Sequence, residues 1–144
     1  MATGLARKKI EDFIENVTAV HREFRSVGRD IPTRRAAQIA AMRPAKRFYI
    51  STEEAVRQIN NIENGRKLAI KSGYKRDMYY EIYKRYVEEM LDGEKVEYKY
   101  ALIERIISST APQFYMNPKI ADRQIRLYYH KLREEARKRN VDSI

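Results

Sequence analysis

The chain contains an internal repeat, and this feature constrains its fold more than any other. Residues 45–59 read Ala-Lys-Arg-Phe-Tyr-Ile-Ser-Thr-Glu-Glu-Ala-Val-Arg-Gln-Ile, and residues 111–125 read Ala-Pro-Gln-Phe-Tyr-Met-Asn-Pro-Lys-Ile-Ala-Asp-Arg-Gln-Ile. The segments align without a gap at an offset of 66 and agree at seven of fifteen positions. Ordinary residue usage gives about one such match. This self-similarity indicates a supersecondary unit that is used twice.

Each copy carries the signals of a helix start. In the first copy, Ser51 is followed three residues later by Glu54, which is the spacing of a capping box. In the second copy, Asn117 precedes Pro118, and proline is favoured at the first helical position because its missing N–H costs nothing there. The Phe-Tyr pair before each cap is expected to run extended, with the phenylalanine buried.

Apolar residues recur at helical spacing along most of the chain, so we predict a single all-α domain with about six helices and no sheet. The predicted helices cover residues 5–27, 34–42, 51–64, 75–92, 100–109 and 117–139. Two helix-loop-helix repeat units, about 33–64 and 95–139, are then joined by the tyrosine-rich spacer helix 75–92.

The N-terminal amphipathic helix has an apolar stripe that admits two interpretations. Its members are Ile10, Phe13, Val17, Val20, Phe24 and Val27. Packing within the chain is the favoured interpretation. A coiled-coil seam with a second copy is the alternative, although the stripe lasts only about two and a half heptads.

Composition excludes several classes of protein. There is no cysteine among the 144 residues, which rules out disulfide frameworks and cysteine-based zinc or thiol chemistry. No apolar run approaches the length of a membrane span, and the N-terminus lacks the apolar region of a signal peptide. We therefore expect no membrane contact and a cytoplasmic location, with virion association as a further possibility.

Catalytic and metal-binding patterns are not found in the sequence. His21 and His130 are far apart, and neither has the spacing of a metal-ligand motif. Adjacent carboxylates such as Glu88 and Glu89 diverge by about 100° on a helix, which does not suit an acid–base pair. We expect no enzyme activity and no cofactor.

Charge is the strongest functional signal. Thirty Lys and Arg against twenty Asp and Glu give a net charge of +10. Residues 31–52 hold five basic residues and no acid, whereas residues 77–97 hold seven acids and three bases. This distribution favours a polyanionic partner, since neutralising phosphates releases counterions. The alternative is that the cations only solvate helices. Candidate nucleic-acid contacts are Arg34, Arg35, Arg43, Lys46, Arg47, Arg57, Arg66, Lys67, Lys71, Lys75, Arg76, Arg123, Arg126, Lys131, Arg133, Arg137 and Lys138.

Two of these groups suggest a geometry of contact. Arg43, Lys46 and Arg47 lie in a connection and are expected at the phosphate backbone, so replacing them with Ala should flatten the salt dependence of binding by about two to three units. Arg57 and Arg123 are each followed by glutamine, a pair that suits either base reading or bonds between the repeat units.

Tyrosines beside basic residues suit stacking on unpaired bases, but tyrosines at helical spacing are more often core residues. We expect core positions for Tyr79, Tyr83, Tyr86 and Tyr128. Tyr80 and Tyr129 are the expected surface contacts.

The repeated motif also resembles known sequences. The stretches Ala-Lys-Arg-Phe-Tyr-Ile-Ser and Ala-Pro-Gln-Phe-Tyr-Met-Asn-Pro resemble a motif in uncharacterised small basic helical proteins of phages and mobile elements. That resemblance implies DNA handling or virion assembly. The predicted function is nucleic-acid binding, with DNA favoured over RNA. The alternative is a structural or adaptor protein that makes no nucleic-acid contact and presents its Phe-Tyr pairs to a partner.

Overall fold

The computed structural model describes residues 4–68, 72–93 and 98–142, which contain six α-helices and no strand. The helices are α1 (Gly4–Ser26), α2 (Thr33–Ala41), α3 (Thr52–Glu63), α4 (Gly73–Leu91), α5 (Lys99–Ile107) and α6 (Pro118–Asp142). In these ranges the all-α prediction is confirmed. Extended segments pair there in a single antiparallel bridge between Ala45 and Ala111.

Both predicted helix starts are confirmed. The Ser51 side chain accepts a hydrogen bond from the backbone N–H of Glu54 at 3.2 Å. Asn117 Oδ1 accepts from the backbone N–H of Ile120 at 2.9 Å, and α6 begins at Pro118. Each cap satisfies a donor that the first helical turn would otherwise leave unpaired.

The offset of 66 relates whole helices as well as the repeat. It takes the start of α2 at Thr33 to the start of α5 at Lys99, and the start of α3 at Thr52 to the start of α6 at Pro118. It also takes residues 7–25, which lie within α1, onto α4. The structure thus has two halves of three helices each, and α4, predicted as a spacer, is the counterpart of α1.

The two halves are intertwined. Helix α1 packs on α2, and α4 packs on α5. Between the halves, α2 packs on α6 and α3 packs on α5. Each of these four pairs has a counterpart under the offset of 66, so the halves are related by an approximate twofold axis, called the pseudo-twofold axis below. The symmetry is incomplete, because α3 also packs on α4, whereas the corresponding helices α6 and α1 line a groove.

Backbone hydrogen bonds hold the two connections together at this axis. Ala45 and Ala111 each donate to the carbonyl of the other at 2.9 Å. The N–H of Phe48 donates to Ile107 O at 2.9 Å, and the N–H of Phe114 donates to Ala41 O at 3.0 Å. The offset exchanges these last two bonds and maps the alanine bridge onto itself, so the axis passes between Ala45 and Ala111.

Aromatic rings from the two connections stack across the same axis. Phe48 lies parallel to Tyr115 with ring centroids 6.2 Å apart, and Phe114 lies parallel to Tyr49 at 5.6 Å. Both phenylalanines are buried, as predicted. They are therefore core residues, which excludes the alternative in which the phenylalanines are presented to a partner.

The shared residues of α3 and α6 have equivalent environments, as the repeat predicts. Ala55 and Ala121 are buried, and so are Ile59 and Ile125 one turn further on. A small residue at the contact allows close approach of neighbouring helices.

The apolar stripe of α1 is explained within the chain. Phe13, Val17 and Val20 are buried, so this part of the stripe is unavailable as a seam with a second copy. Val27 is exposed because it lies past the end of the helix.

The apolar stripe that helical periodicity predicts for α4 is partly wrong; its members are Tyr79, Tyr83, Tyr86, Val87, Met90 and Leu91. Met90 and Leu91 in its last turn are exposed, whereas Met78 and Ile82 are buried. The buried positions 78, 79, 82 and 86 define a face rotated from the predicted one. Tyr83 lies at its edge, as suits a side chain whose hydroxyl prefers water.

Helix α6 extends beyond the packed body. Its counterpart α3 ends at Glu63, which corresponds to residue 129, so residues 130–142 have no equivalent. None of residues 130–141 is buried. Helical periodicity predicts an apolar stripe that continues through Leu132 and Ala136, and this prediction is wrong because both residues are exposed. At 1.5 Å per residue this extension is about 20 Å long.

The equivalence of the two halves gives a stability test. Ala55→Leu and Ala121→Leu should each lower the free energy of unfolding by about 1–3 kcal/mol, because each overpacks the same kind of helix contact. Arg123→Leu, at an exposed position on α6, should change it by less than about 0.5 kcal/mol. Chemical denaturation measures all three. A large loss at one alanine with none at the other would contradict the equivalence.

Candidate nucleic-acid interface

Helix α6 displays a row of basic residues on its solvent face. Spacings of four and three residues keep the row on one face. It consists of Lys119, Arg123, Arg126, His130, Arg133 and Arg137, all of them exposed. We call these six residues the α6 row. It spans eighteen residue steps, about 27 Å.

Within the α6 row the cations are free or weakly held. Arg126 pairs with Asp122 at 3.2 Å, and Arg137 pairs with Glu134 at 3.5 Å. Both arginines are largely exposed, and exposed pairs of this kind contribute only about 0.3–0.5 kcal/mol. Three further cations of the row make no ion pair within the part of the chain that the structure describes: Lys119, Arg123 and Arg133.

Sequence reasoning left two members out of the predicted contacts. Lys119 and His130 are not among the predicted contacts, and in the sequence His130 is examined only as a metal ligand. The signal that identifies both is their position in the four-three spacing. That spacing becomes decisive once the buried face of α6 is known from Ala121 and Ile125.

The repeat provides an internal comparison for the α6 row. The first four positions of the row correspond to Glu53, Arg57 and Asn60 on α3 and to Asn64 just past its end. Over its whole length α3 has one cation and three carboxylates, whereas α6 has eight cations and four carboxylates. Because α3 has the same buried residues without the basic face, the fold does not require that face.

The arginine on α3 is engaged within the protein. Arg57 donates to both carboxylate oxygens of Glu54 at 3.0 and 2.7 Å, and these bonds lower the pKa of that carboxyl group. Gln58 is buried and donates to the same carboxylate at 2.9 Å. The Arg57–Gln58 pair therefore has no exposed amide to offer to a base.

The basic connection predicted at phosphate lies against carboxylates of α1. Arg43 pairs with Glu23 at 2.6 Å, and Lys46 pairs with Glu15 at 2.9 Å. The hydrogen bond from Arg43 lowers the pKa of Glu23. Arg47 donates to backbone carbonyl oxygens of its own connection. Residues 31–52 contain no acid in sequence, but α1 supplies the acids in space.

A buried carboxylate that sequence reasoning missed ties α1 to the first connection. Asp12 is buried, and its Oδ2 accepts from Tyr49 Oη at 2.6 Å. Lys8 Nζ lies 3.1 Å from Asp12 Oδ1. Burial and the bond to Asp12 raise the pKa of Tyr49. Asp12 thus has a structural role.

The remaining candidate cations are scattered over several elements. Exposed residues of this group are Arg34 and Arg35 on α2, Arg66 and Lys67 after α3, Lys75 and Arg76 at the start of α4, and Lys131 and Lys138 on a second side of α6. Lys71 lies outside the described residues.

The two surface tyrosines differ. Tyr80 is exposed, as expected, but Tyr129 is half-buried and packs against the core, with its ring centroid 5.6 Å from that of Tyr128. Residue 129 corresponds to Glu63, which contacts α5 through Lys99. By the same geometry Tyr129 lies at the α2–α6 contact.

An apolar groove separates α1 from α6. It has a volume of about 680 Å³, and its apolar lining residues include Ile10, Ile14, Leu127, Tyr128 and Leu132. The basic residue Lys131 lies at the same groove. The groove is a second surface feature beside the α6 row.

Comparison with known protein families, curated proteins and solved structures finds no match to this chain. Among the described residues, no helix has the length and apolarity needed to cross a membrane. In the same ranges, no cluster of three or more His, Cys, Asp or Glu side chains is placed to hold a metal ion.

The intrahelical pairs of α6 should contribute little to stability. Replacing Asp122 with Asn and Glu134 with Gln should together cost less than about 1 kcal/mol. Tyr49→Phe, which removes the hydroxyl bound to the buried Asp12, should cost about 1–3 kcal/mol. Thermal unfolding measures both. A larger loss from the α6 variant would show that its acids are structural partners of Arg126 and Arg137.

Proposed function

We propose that the protein binds nucleic acid through the α6 row and that duplex DNA is its preferred form. The observation that carries this proposal is the one-sided charge of the repeat. Five permanent cations and a histidine share one face of α6, whereas the equivalent face of α3 has a single arginine that is held by Glu54.

The dimensions of α6 suit a duplex. Along B-DNA each strand carries one phosphate per 3.4 Å, so a row of about 27 Å spans about eight base pairs. The extension 130–142 also has cations away from the row, at Lys131, Lys138 and Arg139. The major groove admits an α-helix and has phosphates on both of its sides, which suits cations on several sides of the helix.

DNA suits this helix better than double-stranded RNA. The major groove of A-form RNA is deep and narrow, and side chains do not read it. The resemblance of residues 111–118 to proteins of phages and mobile elements supports the same choice. In that setting the protein would act in the cytoplasm or in a virion.

The test is a titration of the protein with a labelled duplex of about 20 base pairs at several salt concentrations. Wild-type protein should bind, and the logarithm of its binding constant should fall linearly with the logarithm of salt concentration. Replacing Lys119, Arg123 and Arg133 with Ala should flatten that slope by about two to three units, since each lost phosphate contact removes about 0.9.

A matched control removes the same charge elsewhere. Replacing Arg7, Arg57 and Arg105 with Ala takes three cations from α1, α3 and α5, and Arg57 is the counterpart of Arg123. This variant should keep the wild-type slope to within about half a unit. Equal flattening in both variants would show that net charge alone drives binding. Failure of the wild type to bind duplex, or binding to anionic vesicles alone, would overturn the proposal.

The same titration compares the contribution of the basic connection to binding with that of the α6 row. Replacing Arg43, Lys46 and Arg47 with Ala should flatten the slope less than the α6 variant does, because two of these cations already have carboxylate partners. A greater effect from the connection would move the interface there.

A structural or adaptor role is the second candidate. The groove between α1 and α6 favours it, because Ile10, Leu127 and Leu132 offer apolar surface to a partner. An adaptor of this kind would leave duplex DNA unbound, so the titration separates the two functions.

A further inference from the structure

The α3–α5 contact between the halves contains complementary groups. Tyr100 Oη donates to Glu53 Oε1 at 2.8 Å, close to the start of α3. Lys99 Nζ lies 2.7 Å from Glu63 Oε2, close to the end of α3. The first turn of α5 is therefore joined to α3 by a hydrogen bond and an ion pair. We call this contact the neutral seam.

Its counterpart is the contact between α2 and α6. The offset of 66 replaces Tyr100 by Arg34 and Glu53 by Lys119. Because α2 packs on α6 as α5 packs on α3, the offset assigns these two cations to the positions that Tyr100 and Glu53 hold on the other pair of helices. We call this contact the basic seam.

No acid balances the basic seam. Arg34 and Lys119 are both exposed, and neither makes an ion pair within the described parts of the chain. The nearest acid along α6 is Asp122, which is engaged by Arg126 at 3.2 Å. Two cations at these corresponding positions would repel each other if their charged groups came together, and an anion between them would remove that cost.

We infer that Arg34 and Lys119 together clamp one phosphate group of the bound nucleic acid. An arginine presents a fork of N–H donors to phosphate oxygens, and a lysine adds a compact charge. This inference rests on the proposed function and extends it. The clamp continues the α6 row onto α2, so the interface joins the two halves of the molecule.

The two contacts between the halves differ in whether they carry the clamp. The neutral seam occupies the equivalent place in the other half, and its Tyr100–Glu53 pair leaves an acid where the basic seam has Lys119. Although the fold is duplicated, the clamp therefore occurs on one of the two contacts between the halves.

Exchanging the seams tests the clamp. Arg34→Tyr with Lys119→Glu installs the neutral pair on the α2–α6 contact, and Tyr100→Arg with Glu53→Lys installs the basic pair on the other. The four changes together keep the composition and the net charge of +10. Both the double variant Arg34→Tyr, Lys119→Glu and the fourfold variant should bind duplex at least tenfold more weakly than wild type. Their salt slopes should be flatter by about one unit.

The outcomes distinguish the clamp from the proposed function. Wild-type protein that does not bind duplex overturns both. Wild-type binding together with an unchanged slope in the double variant overturns the clamp and leaves the rest of the α6 row, from Arg123 to Arg137, in place. Restored binding in the fourfold variant, which carries the basic pair on the α3–α5 contact, would show that the pair does not need the α6 row beside it. That result would overturn the clamp as a part of the α6 interface.

Alanine variants give a second test, which does not depend on whether the installed tyrosine and glutamate form a hydrogen bond. Because the two cations share one phosphate, Arg34→Ala, Lys119→Ala and their combination should each flatten the slope by about 0.9. Arg34→Ala combined with Arg133→Ala should flatten it by about 1.8, since those residues meet different phosphates. Additive losses for Arg34 and Lys119 would contradict a shared clamp. Circular dichroism of each variant verifies that it is folded.

Discussion

The mutual hydrogen bonds between Ala45 and Ala111 are the constraint on which the rest of the structure depends. They join the two extended connections back to back, and the bonds from Phe48 and Phe114 then anchor each connection to the end of a helix in the other half. With the connections fixed, α3 must pack on α5, and α6 must pack on α2. Neither half buries its apolar residues alone, so the chain folds as an internally intertwined pair.

Duplication separates what the fold needs from what it does not. Phenylalanine, alanine and isoleucine recur at the same places because both copies build the same core around the pseudo-twofold axis. The solvent faces of α3 and α6 do not contribute to this core, so their residues are free to differ, and they differ in charge. Packing does not explain why the solvent face of α6 is basic and that of α3 is not. This difference in charge makes α6 the first place to look for function.

The sequence predicted the fold class, the caps and the buried phenylalanines, because capping and helical periodicity are local signals. It did not reveal that the repeat includes three helices. The buried faces of α2 and α5 correspond in position but not in size, since Ala36 and Ala40 are matched by Leu102 and Ile106. The sequences of α2 and α5 therefore share little identity, although the two helices pack in the same way. The ion pairs of Arg43 and Lys46 with α1 were equally hidden, because their partners are distant in sequence.

The central claim is that nucleic acid contacts one copy of the repeat and not the other. An NMR titration of isotopically labelled protein with duplex DNA tests it most directly, because α3 and α6 serve as internal references for each other. The account predicts chemical-shift changes along residues 118–137 of α6 and at the start of α2 around Arg34, with α3 and the start of α5 unchanged. Equal changes on α3 and α6, or changes confined to the connections, would contradict it.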